Sequence, residues 1–386
     1  MRTLLSIVLA LAVIYGLLRY FKDKALENLE YKRSFSNMRL YAGDSVSMKI
    51  ELMNHKILPL PWLRIAGAYP EHLTIKNQKL EKAKGYSRYD HISVTSLFSF
   101  QKLTKLYEVT CEKRGHYTFC DVDLKAGDWF GLEKAQKMLY MPNELIVYPK
   151  VTPLEGLGFI PNKPDGSVSV RRWIMPDPIE KVGLREYTGS DPFHAIDWKA
   201  TARSGQMMVG NFDHKADPAL MILLNTAHFK ADWKYKCPAC FEDLLNLSAS
   251  LIESAIAEQV PVGMAFTAAV QSAKAGQAIL PDVGHGQRLV LLEVLAKLSE
   301  YNKLTGLELL KLYERLYESH HTVFYITENL STEVVMRMNH MANSGYNLHV
   351  VVLAECDILH LLNRNIDVHQ PKFGDTKGGA IHVQMA

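Results

Sequence analysis

Cysteine is scarce in this chain: five in 386 residues, Cys111, Cys120, Cys237, Cys240 and Cys356. An odd number, thinly spread, does not build a disulfide framework and favours a reducing compartment. Only Cys237 and Cys240, in "CPAC", have the spacing of a metal-binding pair, and no second CxxC or HxxxH lies nearby to complete a zinc site. His214 and His228 could join them only through space, so two cysteines at a helix start is the simpler reading. Charge of one sign is also lacking, with Lys+Arg 44 against Asp+Glu 41 and a net charge of +3. That balance leaves no electrostatic footprint for nucleic acid. There is no GxSxG, no HExxH and no Walker lysine loop, which removes the usual signatures of serine hydrolases, zinc proteases and P-loop nucleotide binding.

What is present begins with a long apolar run. "TLLSIVLALAVIYGLL", residues 3–18, carries no charge until Arg19. With Tyr20 and Phe21 as interfacial aromatics it approaches the roughly 20 residues that span hydrocarbon. It ends in "GLLRYFKDK" and not in a small-x-small cleavage site, so an uncleaved anchor over residues 1–24 is expected, spanning with residues 3–21. Arg19, Lys22, Lys24, Lys32 and Arg33 follow the run, against Arg2 and the amino group before it. The positive-inside rule therefore predicts a single-pass protein of the cell membrane with its body in the cytoplasm.

A chain this long exceeds one ordinary core, and its pattern changes midway. Residues 34–150 read as short strands bounded by Gly, Asp or Pro, as in "SVSMKIELMN" and "CDVDLKAGDWFGL", which predicts a β-sandwich. The two prolines of "LPLPWLRIAG" suit an edge strand or a bulge. Residues 151–180 concentrate Pro and Gly and read as a linker. From 181 to 370 strands alternate with helices: "ALMILLNTA" and "VPVGMAFTAA" are apolar throughout, as strands buried on both faces are, and "STEVVMRMNHMANSG" is a helix with a serine N-cap. The alternation predicts a doubly wound, mostly parallel α/β sheet, whose ligands bind at the carboxyl ends of the strands, here "NTAHF" and "TENLS". "GHGQ", Gly284–Gln287, reads as a plain helix-start turn. Residues 371–386 are expected to fray.

The densest chemistry lies in "REYTGSDPFHAIDWKATARSGQ". Asp191, Asp197 and Lys199 resemble the acid-plus-lysine core of Mg²⁺-dependent nucleases, although such cores spread their acids over two strands. The competing reading is structural. Asp191 before Pro192 starts a turn or caps a helix that ends at Gly205, and Asp and Arg form buried or half-buried ion pairs that lock that helix in place.

The residues Arg185, Tyr187, Gly189, Asp191, Ile196, Asp197, Trp198, Lys199, Thr201, Ala202 and Arg203 resemble the signature of the bacterial family called domain of unknown function 58. Two local departures are the extra Ser190 and His194 in a position usually held by Arg. The resemblance implies a signature segment of Arg185, Tyr187, Gly189, Asp191, Asp197, Trp198, Lys199 and Arg203 that contributes to binding, and a C-terminal domain of von Willebrand factor A type. It also implies a non-enzymatic adaptor, with a MoxR-type AAA+ ATPase and transglutaminase-like membrane proteins as partners. A-type domains hold Mg²⁺ through D-x-S-x-S at the end of the first strand. Here Asn225 stands for the Asp, Ala227 and Phe229 for the serines, and Glu328 for the later Asp. Two of those positions lack an oxygen and one lacks its charge, so neither metal nor cofactor is expected. Thr226 and Thr327 could supply oxygens only after rearrangement.

Overall fold

A computed structural model describes residues 9, 15–16, 19–78, 80–82, 88–127, 134–155, 181–188, 193, 196–212, 219–227, 238–271, 276–316, 321–354, 356–373 and 381–385. The chain divides into two compact units: residues 1–150 with 292–297, and residues 151–291 with 298–386.

Among the described residues the first unit has ten strands: β1 (Leu29–Phe35), β2 (Arg39–Tyr41), β3 (Ser45–Asn54), β4 (Leu60–Pro70), β5 (Leu73–Ile75), β6 (Glu81–Lys82), β7 (Arg88–Leu97), β8 (Lys102–Cys111), β9 (Gly115–Gly127) and β10 (Lys134–Tyr148). They form a four-stranded sheet, β1-β3-β8-β5, and a six-stranded sheet, β2-β10-β9-β4-β7-β6. Alternation explains the arrangement. In β3, Val46, Met48, Ile50 and Leu52 are buried while the residues between them are not, so one sheet face enters a core shared with Ile65, Phe119, Leu124 and Leu145. β4 pairs with both β7 and β9 and is therefore central, not an edge. Pro61 is accommodated by a register shift between Leu60 and Leu63.

Two residues read as flanks of the membrane run belong to this core instead. Phe21 is buried in the same cluster, with Ala25 and Leu26. Arg33 is also buried. Its guanidinium donates to Phe119 O at 3.0 Å, Met141 O at 3.3 Å and Asn143 Oδ1 at 3.1 Å, and lies over the rings of Tyr69 and Phe119. Carbonyl dipoles and ring faces replace the water that this cation lost. Arg33 thus leaves the set of positive charges available to a membrane surface. The apolar run itself falls almost entirely outside the described residues; among those described, no helix is long and apolar enough to cross a membrane.

The second unit is mixed α/β. Its strands are β11 (Leu154–Glu155), β12 (Lys181–Glu186), β13 (Met208–Phe212), β14 (Leu220–Asn225), β15 (Val262–Phe266), β16 (Ala268–Val270), β17 (Ala278–Asp282), β18 (Leu298–Asn302), β19 (Thr322–Thr327), β20 (Asn347–Val352), β21 (Asp367–Phe373) and β22 (Ile381–Met385). Its described helices are α1 (Trp198–Ser204), α2 (Pro238–Ala257), the first half of α3 (His285–Lys297), whose residues 292–297 fall in the first unit, α4 (Gly306–Leu316) and α5 (Thr332–Asn343). Eight strands make one sheet, β11-β22-β21-β20-β19-β14-β15-β17. The run from β21 to β15 is parallel, and β17 and β22 are antiparallel to their neighbours β15 and β21. Every residue of β14 is buried, as expected where helices cover both faces. Met221 and Leu223 pack with residues of α4 and α5, while Leu220, Ile222 and Leu224 point to the other face.

The carboxyl-terminal segment does not simply fray. Residues 367–373 and 381–385 pair antiparallel along His369↔Met385 to Phe373↔Ile381, and β11, from the stretch read as a linker, pairs with β22. Period-two alternation in "DVHQPKF" and "IHVQM" is broken by polar residues, which hid these strands. The remainder of the linker, residues 156–180, lies outside the described residues.

Candidate functional site

The strand ends named by topology converge on one cleft. Its volume is about 400 Å³, and its walls include Asn225, Ala227, Thr305, Gly306, Asn329, Ser331 and Glu333. Asn225 ends β14; Thr327 ends the adjacent β19, in register with it. Two helices begin at the cleft. Ser331 caps α5, its Oγ accepting from Val334 N. Thr305 and Glu308 form a capping box for α4: Thr305 N donates to the Glu308 carboxylate at 2.8 Å, and Glu308 N to Thr305 Oγ1 at 3.3 Å. The bonds that Thr305 N and Thr305 Oγ1 donate to it hold the Glu308 carboxyl below its ordinary pKa.

The floor of the cleft is neutral and internally bonded. Asn225 Nδ2 donates to Thr327 Oγ1 at 3.1 Å, and Asn225 Oδ1 accepts from Ala227 N at 3.1 Å. Thr327 Oγ1 passes its own proton to Asn329 O at 2.8 Å. An aspartate at 225 could not make the first of these bonds, because it has no donor. Beside it, Thr226 Oγ1, Thr267 Oγ1 and Asn302 Oδ1 lie within 2.6–3.1 Å of one another. These five side chains are thereby bonded within two groups, Asn225 with Thr327 and Thr226 with Thr267 and Asn302. Gly306 allows α4 to approach: a Cβ there would stand 2.5 Å from Tyr325 Oη and 2.8 Å from Asn225 Nδ2. Burial raises the pKa of that tyrosine, which stays a neutral phenol beneath the floor.

The Mg²⁺ that A-type domains carry does not fit these residues. Its central carboxylate is replaced by a carboxamide already bonded on both sides, and Ala227 offers no side-chain oxygen. Phe229 lies outside the described residues. Glu328 is half-buried just past β19, one carboxylate where octahedral coordination needs several oxygens.

The signature segment forms a separate structure. β12 pairs antiparallel with β13, Arg185 opposite Val209. Between them, Ile196 bridges to Val209, and both are buried. Asp197 is the N-cap of α1: its Oδ1 accepts from Lys199 N at 3.0 Å and Ala200 N at 3.1 Å. Gly205, at φ 74°, closes the helix in the left-handed conformation, bonding to Thr201 O. The helix therefore begins at Trp198, not near Pro192, and ends where expected. None of its residues is buried. Lys199 and Arg203 are exposed and Trp198 is 67% exposed, whereas Asp197 is half-buried, so the expected burial of charge does not hold for the two cations of this helix. Tyr187 stacks on Phe193, centroids 6.0 Å apart. Gly189, Asp191 and His194 lie outside the described residues, so the arrangement of Asp191 with Asp197 and Lys199 is not on view.

Of the cysteine pair, Cys240 sits in the first turn of α2, behind Pro238 at its first position; Cys237, His214 and His228 lie outside the described residues. Gly284 is the N-cap of α3 at φ 91°, and Gln287 Nε2 donates to Val262 O and Leu280 O, both at 2.8 Å. "GHGQ" thus ties the helix to the sheet. Sequence reading missed Gly306, Tyr325, Thr267 and Asn302. Glycine immediately after Thr305 at a helix start was the one available signal among them.

Residues 183–296 match the family described as "Protein of unknown function DUF58". That match begins in β12 and takes in the signature segment. A Bacillus subtilis (strain 168) protein, "Uncharacterized protein YeaD", is 25% identical over 240 residues, 62% of this chain and 56% of that protein. The alignment thus spans a little over half of that relative's length. Among solved structures, a non-cellulosomal cohesin from Archaeoglobus fulgidus aligns over 30% of this chain and 91% of its own, at 8% identity and a TM-score of 0.21. The full-length major pilin SpaD from Corynebacterium diphtheriae aligns over 30% of this chain and 34% of its own, at 10% identity and a TM-score of 0.22. Similarity at this level identifies neither fold nor function.

Proposed function

We propose that the protein is a membrane-anchored, non-enzymatic adaptor whose second unit, an A-type domain, recognises a protein partner through the cleft at its strand ends. The observation that carries this reading is the neutral closure of Asn225 on Thr327 at the floor of that cleft. A site that worked by metal chelation or acid–base chemistry would keep a carboxylate or imidazole free there. Here the polar groups of the floor are spent on one another, while the rim keeps the exposed Glu333 and the starts of α4 and α5. Such a rim suits recognition of a loop or peptide, without bond breaking. By resemblance the partner is a MoxR-type AAA+ ATPase, with transglutaminase-like membrane proteins as further members of the assembly. The run at residues 3–18 anchors the chain in the cell membrane, and Lys22 and Lys24 beyond it favour a cytoplasmic body. A hydrolase using Asp191, Asp197 and Lys199 is the less supported reading, because a carboxylate oxygen of Asp197 already caps α1. Affinity purification of the detergent-solubilised full chain, with and without ATP, tests the adaptor reading. Recovery of no AAA+ ATPase in either condition would count against it.

A further inference from the structure

The end of the sandwich at which β1 begins carries three exposed apolar side chains on two loops. Ile57, between β3 and β4, is 77% exposed; Phe98 and Phe100, between β7 and β8, are 67% and 63% exposed. The loops are bound to each other and to the residues that follow the run. Asn54 Nδ2 donates to Leu58 O and Phe98 O, both at 3.0 Å, and Phe100 N donates to Lys56 O. His55 N donates to Asn28 O at 2.9 Å, and Lys56 Nζ to Glu27 O at 2.8 Å. Phe21, Ala25 and Leu26, between the run and β1 in sequence, are embedded in the sandwich core. The two loops are thus bonded to Glu27 and Asn28, which follow the run in sequence.

The backbone adds an independent sign. Phe100 has φ 54°, the left-handed region where a bulky side chain is strained and Gly or Asn is the usual occupant. Strain of about 1–3 kcal/mol persists where surroundings or function require it. Among the described residues the ring stays largely exposed.

We propose that Ile57, Phe98 and Phe100 insert into the interfacial layer of the lipid bilayer and seat the sandwich on the membrane. This rests on the reading of residues 3–18 as an anchor. Aromatic and aliphatic side chains favour that layer; the nearby Lys24 and Lys56 ammoniums are bonded to the Glu27 carboxylate and backbone carbonyl, respectively. Asp23, Glu27 and Glu30 are also present, so apolar insertion, not net charge, supplies the attraction. The anchor alone would hold the chain at the membrane, so retention is not the informative readout.

The test uses full-length protein lacking its native cysteines, with single cysteines at Ile57→Cys or Phe98→Cys carrying an environment-sensitive nitrobenzoxadiazole dye. Met38→Cys is the control, because Met38 is exposed beyond the opposite end of β1. The proteins are reconstituted into phosphatidylethanolamine–phosphatidylglycerol vesicles and floated on a gradient. Co-flotation with blue-shifted emission and a several-fold gain in intensity at residues 57 and 98, but not at 38, is expected. Co-flotation with water-like emission at 57 and 98 overturns the proposal and leaves the anchor standing. Failure to float overturns the anchor reading and the proposal with it. A blue shift in native membranes but not in pure-lipid vesicles assigns the patch to a membrane protein and overturns lipid seating.

Discussion

Asn225 donates to Thr327 across two parallel strands, from the end of β14 to the end of β19. The carboxamide is required because Thr327 already gives its proton to Asn329 O. Asn225→Asp would set a carboxylate against a hydroxyl oxygen and leave a buried charge unpaired. We expect a loss of about 2–4 kcal/mol in chemical denaturation of the full chain in detergent. Adding Mg²⁺ should not restore it, since Ala227 still lacks an oxygen; recovery with Mg²⁺ would mean the cleft retains a latent ion site.

Gly306 makes the approach of α4 to the strand ends possible. Gly306→Ala places a methyl 2.5 Å from Tyr325 Oη, and should destabilise by about 1–3 kcal/mol. Tyr325→Phe removes the facing oxygen, so the double variant should recover part of that loss. A double-mutant cycle with no coupling would show that the clash is relieved elsewhere.

Asp197 is a helix cap. Asp197→Ala should cost about 1 kcal/mol, while Asp197→Asn, which keeps a side-chain oxygen acceptor, should be close to neutral. Thermal unfolding of the two variants distinguishes them. A strong loss with Asn would point to a need for the charge itself.

How far the fold could be read in the sequence follows from these residues. β14 was legible because a strand buried on both faces has nothing to alternate. Ser331 and Gly205 announced a helix start and a helix stop. The start of α1 was misplaced because two aspartates compete for the cap, and Pro192 drew it to Asp191. Phe21 reads as the last residue of a membrane run, and only tertiary contact shows it in the sandwich core. Strand β22, between β11 and β21, has little apolar pattern, and Phe100 in the left-handed region has no sequence signal at all. At the candidate site, Asn225 and Ala227 were legible as lost ligands, whereas Gly306 and Tyr325 become relevant only when α4 lies across the strands.

Phe100 offers a test with opposing signs. Phe100→Asn relieves left-handed strain and should stabilise the protein in detergent by about 0.5–1 kcal/mol. The same change should weaken bilayer contact at Phe98, read as a smaller blue shift of the attached dye. Destabilisation would mean that the ring packs within the protein.

His349 links stability to pH. Burial holds its pKa down, at about 4. It stacks on Phe324, centroids 4.4 Å apart, with Asp367 Oδ2 and His369 Nε2 each 3.3 Å from its Nδ1; Asp367 opposes the shift, and His369 adds to it. A lowered folded pKa means that the unfolded chain binds more protons between about pH 6.5 and 4. Stability is therefore full above that window and falls as the medium acidifies. Going from pH 7 to 5 should cost about 1–2 kcal/mol through this residue. His349→Gln should flatten that part of the profile; an unchanged slope would place the proton uptake elsewhere.

The adaptor reading is tested most directly by photo-crosslinking from the cleft in the protein's native membranes. With benzoylphenylalanine at Glu333, on the rim, the account predicts an adduct with a MoxR-type AAA+ ATPase that depends on nucleotide. The same probe at Met38, on the sandwich, should not give that adduct. An adduct of equal yield from both positions, or none from Glu333 while the ATPase is present, would contradict recognition through the cleft.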